Sequence, residues 1–167
     1  MVRSTILRRI LDKPEASVKR DFESARERPA YSLAPEEVVE PPLNQEDWID
    51  LHRGAELFNS SEYWESHEAW EEVWRRCDVP SRVFFQALIQ LAAAYYQLGR
   101  GVYHGVVKHF NNAGAKLEQF PDDFLGVDIG LVKKRIDEGR ERARQAGPDG
   151  LEGVEWPPVP TISFRKP

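Results

Sequence analysis

Apolar residues recur at helical spacing through most of this chain, and proline or glycine separates the runs. Trp48, Leu51, Ala55 and Phe58 lie three or four positions apart behind Asn44-Gln45-Glu46-Asp47, an N-cap followed by acidic first-turn residues. That pattern predicts a helix over about 45–58. Asn59, with Glu62 three positions on, has capping-box spacing, so a second helix is expected from there to Arg76, whose pairing with Arg75 suits a helix C-terminus. Asp78, Pro80 and Ser81 signal a third helix over about 81–98. It carries no charge after Arg82 and is apolar on nearly all sides, the pattern of a central buried helix, and Gly99 and Gly101 end it. A fourth, over about 103–119, has Val106, Phe110, Ala113 and Leu117 as its inner stripe and stops before Pro121. A fifth starts near Asp128 and ends at Gly147-Pro148, with a charged outer face from Lys133 to Arg144. Strand alternation and internal repeats are absent from the sequence. The expected fold is an all-α, antiparallel bundle of about five helices with the third at its centre.

Two flanks differ from this pattern. Residues 1–43 carry Pro14, Pro29, Pro35, Pro41 and Pro42 among dense mixed charge, and read as an N-terminal extension of short helices and extended pieces. Residues 148–167 carry Trp156, Pro157, Pro158, Val159, Pro160 and Phe164, and read as a proline-rich strap packed on the 44–147 bundle; a peptide-like segment offered to a partner is the sharper alternative.

The bulk numbers narrow the function classes. The 167 residues are 41% hydrophobic and 31% charged, a soluble globular composition. A net charge of −5 argues against broad nucleic-acid binding. No apolar run is long enough to span a bilayer, and Met1–Leu11, with Arg3, Arg8 and Arg9 among its aliphatics, lacks a signal-peptide core. The lone Cys77 suits a reducing compartment, so a cytoplasmic location is expected. The partners left open are a small ligand or a second copy of the chain.

The chemistry concentrates in the second helix. At about 100° per residue, His67 and Glu71 share one face with Tyr63, Trp64, Trp70 and Trp74, whereas Glu62, Glu65 and Glu72 point away and Glu68 sits at the margin. Polar groups in an aromatic stripe cost free energy unless partnered. On the third helix, Gln86, Gln90, Ala93 and Gln97 form a narrow stripe on an otherwise apolar cylinder. The second and third helices are therefore expected to face each other through His67, Glu71, Gln86 and Gln90. His109 and Asn112 lie near the edge of the fourth helix's inner stripe, with His104, Lys108 and Asn111 opposite.

Three readings stay open. In the first, His67 and Glu71 form a buried hydrogen-bonded pair that fixes helix register. In the second, His67, Glu71 and either Glu68 or His109 bind a divalent metal, since imidazole and carboxylate suit zinc, manganese or iron. The spacing of the known zinc and di-iron helix motifs is missing, and no other cofactor is indicated. In the third, the pair acts as acid and base in a pocket that binds its ligand through Trp64, His67, Glu68, Trp70, Glu71, Gln86 and Gln90. Phosphate-loop, nucleophile-elbow and Cys-x-x-Cys signatures are absent.

The block Glu62-Tyr63-Trp64-Glu65-Ser66-His67-Glu68-Ala69-Trp70-Glu71, with Phe58-Asn59 before it and Phe85-Gln86-Ala87-Leu88-Ile89-Gln90-Leu91-Ala92-Ala93-Ala94-Tyr95 after it, resembles the domain-of-unknown-function 309 family. Asn112-Ala113-Gly114-Ala115-Lys116-Leu117-Glu118 is similar in position and character. The resemblance implies a small, soluble, all-helical domain with the His-Glu block on an inner helix, and it implies no activity.

Overall fold

Asn44 opens the first helix, α1 (Gln45–Asn59), with a reciprocal cap. Its side chain accepts from Asp47 N at 2.9 Å, and the Asp47 carboxylate accepts from Asn44 N at 3.0 Å. The computed structural model describes residues 31–167, so most of the expected N-terminal extension lies outside the described residues. Within them, Leu33–Pro167 form one compact unit.

The second helix, α2 (Tyr63–Arg76), does not begin on the expected capping box. Asn59 is the last residue of α1, and the N-cap of α2 is Glu62, with no side-chain cap. Ser61 takes a left-handed φ of 63°, which turns the chain sharply between the helices. The Asn59 amide is used elsewhere: it donates to Ile162 O at 2.8 Å and accepts from Ile162 N at 2.9 Å.

One 3-10 turn, Pro80–Arg82, leads into α3 (Val83–Gly99). Then follow α4 (Tyr103–Leu117), a hairpin of β1 (Asp123–Phe124) and β2 (Val127–Asp128), and α5 (Ile129–Ala146), capped by Asp128. The antiparallel hairpin turns through Leu125 and Gly126, both at positive φ, as a two-residue turn requires. Such short strands leave no alternation to read, which is why the sequence pattern does not announce them.

Helix α3 is the centre of this all-α bundle, packing against α2 on one side and α4 on the other, while α1 packs on α2 and α5 on α4. From Phe84 to Tyr95 every residue but Gln86 is buried. The α1–α2 contact depends on Gly54, because a Cβ there would fall within the Trp70 indole. That indole donates from Nε1 to Leu51 O at 3.2 Å, and Ser66 Oγ donates to Gly54 O at 2.8 Å.

The tail crosses the bundle without regular structure. Trp156 stacks on Phe110, Ile162 is clamped by Asn59, and Phe164 meets His52 and Trp70 edge-on. Arg165 N donates to Leu125 O at 3.0 Å, and its guanidinium pairs with Glu40. No helix among the described residues is long and apolar enough to cross a membrane.

Candidate functional site: a buried polar face on three helices

Aromatic contacts set the register of α2 on α3. Tyr63 stacks on Tyr95 at 5.5 Å, and Trp64 meets Tyr96 at 5.2 Å. The helices run antiparallel, so one turn along α2 from Trp64 brings His67 level with Ala92 and Ala93, and a further turn brings Glu71 to Gln90. On the other side of α3, Gly105 lies against the Gln97 side chain. One turn along, His109 of α4 is level with Ala93. The methyl side chains of α3 thus lie where the two histidines approach.

His67 is 1% exposed, Glu71 1%, Gln90 5% and His109 1%. His67 Nε2 stands 3.9 Å from Glu71 Oε2, too long for a hydrogen bond. Burial first, then His109 and Arg75, push the His67 pKa down to about 3; the Trp64 carbonyl opposes them, though its approach falls outside hydrogen-bond geometry. His109 is pushed down to about 4, mainly by burial and then by Lys108 and Lys116. Both rings are neutral near pH 7, so His67 and Glu71 are not an ion pair there. The Glu71 carboxylate is instead 3.3 Å from Arg75 Nη2.

Both nitrogens of His67, both of His109 and Oε1 of Gln90 have no hydrogen-bond partner among the described residues. Trp64, half-buried, lies over the His67 ring at 5.4 Å. Gln86 and Glu68 are half-buried at the margins of the face. Trp70 is turned away into α1, and Trp74 lies under the Arg82 guanidinium at 4.8 Å.

The structure adds Lys116, which the residue pattern did not single out. It is 5% exposed, and burial pulls its pKa down to about 8. It follows His109 by seven residues, about 20° from it around α4, and that spacing was the available signal.

Residues 51–109 match the family model for the Domain of unknown function (DUF309). The matched DUF309 segment runs from Leu51 in α1 to His109 in α4, and so contains His67, Glu71, Gln86, Gln90 and His109 but not Lys116. No curated protein matches the chain.

Among the described residues no three His, Cys, Asp or Glu side chains come together as a metal centre. His67 and Glu71 are one turn apart, and His109 does not close a third ligand position with them. Two surface cavities lie elsewhere. One, of about 360 Å³, is lined by Tyr103, Val107, Asn111 and Arg140, and the other, of about 890 Å³, by Trp48, Ile49, His52 and Pro167.

Proposed function

We propose that the face shared by α2, α3 and α4 binds a small polar molecule. His67, Gln90 and His109 contact it, Glu71 stands behind His67, and Trp64 covers the entrance. One observation carries this reading: five buried polar atoms on these three residues, which lie on α2, α3 and α4, lack hydrogen-bond partners among the described residues, and His109 is close enough to His67 to influence it. Orphaned buried polar atoms cost about 1–3 kcal/mol each. Five together would consume much of the roughly 5–15 kcal/mol that keeps a domain folded. An occupant that hydrogen-bonds to them removes that cost.

His67 and Glu71 are the candidate acid and base for a reaction there, with the imidazole held neutral at pH 7 by its burial. A divalent-metal role for His67, Glu71 and His109 is less well supported, for want of a third converging ligand. The lone, half-buried Cys77 is consistent with the reducing conditions of the cytoplasm.

The near-complete burial of both imidazoles favours a second reading, a packing network completed by internal water. A thermal-shift screen of small polar compounds, with metal analysis of protein purified without chelating resin, separates the two. Saturable stabilisation that disappears in His109→Phe is expected. No stabilising compound, with the variant less stable than the parent, would leave the packing network.

A further inference from the structure

The charged and the neutral groups of this face are matched to different degrees. Glu71 has Arg75 beside it, and neither Glu71 nor Lys116 is without a partner. Apart from Glu71 Oε1, which is ion-paired with Arg75, the atoms of this face without a hydrogen-bond partner among the described residues belong to uncharged groups, namely two imidazoles and one carboxamide oxygen. A neutral imidazole offers one N–H and one lone pair, so the three side chains present two donors and three acceptors. Building on the binding reading above, we infer that the site takes an uncharged ligand rich in hydrogen-bond donors, bearing carboxamide or hydroxyl groups.

The alternatives fit the same atoms poorly. An oxyanion accepts from the two N–H groups but meets three lone pairs, and it enters a buried site where the existing cation is already engaged. A divalent cation takes the lone pairs but leaves both N–H groups unmatched, and it brings charge into a desolvated face. A neutral molecule with N–H or O–H groups satisfies both kinds.

The half-buried Trp64 ring beside His67 gives a planar amide a flat surface to lie on.

The chain has four histidines, and His52 and His104 lie outside this face, so imidazole NMR reports on it with internal controls. Full-length protein with ¹⁵N-labelled histidine, at pH 7, is titrated with nicotinamide, acetamide and myo-inositol, with phosphate and acetate, and with Zn²⁺. The expected result is saturable movement of the His67 and His109 signals with a neutral probe, weakened at least tenfold in Gln90→Leu. Movement of the same two signals with phosphate, acetate or Zn²⁺ but with no neutral probe would overturn the ligand class and leave the binding reading standing. If no probe moves either signal, both fall.

Discussion

His67→Leu separates a binding site from a packing network, because the two readings give changes of opposite sign. Leucine has nearly the bulk of imidazole and no polar atoms. In the ligand-free protein, two buried ring nitrogens without partners cost roughly 2–6 kcal/mol before relaxation. Imperfect packing of the branched chain returns about 1 kcal/mol of that. The substitution is therefore expected to raise stability by about 1–5 kcal/mol, toward the low end once the unsubstituted site has relaxed, some 2–4 °C in Tm per kcal/mol for a chain of this size. Urea unfolding followed by tryptophan fluorescence and circular dichroism, on protein refolded to remove bound small molecules, measures it directly. A loss of 2 kcal/mol or more would refute the reasoning, since it would mean that the imidazole is held by bonds whose removal strands its partners. The same variant should lose response to any compound that stabilises the parent.

Three further outcomes follow from the same geometry. The buried histidines, depressed to about 3 and about 4, bind protons in the unfolded chain near pH 6.5 but not in the folded one. Their contribution is therefore essentially complete well above pH 6.5 and falls as pH drops toward the folded values, by about 4 kcal/mol between pH 7 and 5 for the pair; urea titrations at pH 7, 6 and 5 should show the slope, and His109→Phe should flatten it by about half. Gly54→Ala would gain about 1 kcal/mol of helix propensity but drive a methyl into the fully buried Trp70 ring, for a net loss of about 2 kcal/mol by thermal unfolding; an unchanged Tm would mean that the α1–α2 contact is looser than its geometry. Asn59→Ala removes both bonds to Ile162 and should cost about 1–2 kcal/mol, with faster amide exchange confined to the tail around Ile162; uniform exchange would argue against a local clamp.

The bundle was legible because its helices are amphipathic, or wholly apolar in the case of α3, and periodicity reports that directly. Asn59 shows where local reading fails. Its spacing to Glu62 fits a capping box, yet its amide serves the backbone of Ile162, a partner 103 positions away that no window contains. The polar face divides the same way. A helical wheel places His67 and Glu71 together, and they are together. It also places Trp70 near them, but Gly54 on another helix opens a slot that takes the indole away. Lys116 was overlooked because lysine is ordinarily solvated, and its spacing from His109 had to outweigh that expectation.

The tail and α5 lie outside the DUF309 segment, yet they bear on the orientation of His109. Its neighbour Phe110 points about 100° away around α4, into Tyr95 at 5.3 Å and Trp156 at 6.1 Å, with Gly139 of α5 close beneath. Fixing Phe110 fixes the rotation of α4 about its axis, and with it the direction in which His109 points. Trp156→Ala therefore reaches the polar face without touching it. Loss of the stacked indole costs about 3 kcal/mol or less for a half-buried ring, and α4 gains rotational freedom. Should the polar face bind its ligand with His109 held in place, the variant should bind a neutral probe more weakly while the imidazole signals of His67 and His109 broaden together. Stability lost with binding and line widths unchanged would show that α4 is held in register by α3 alone.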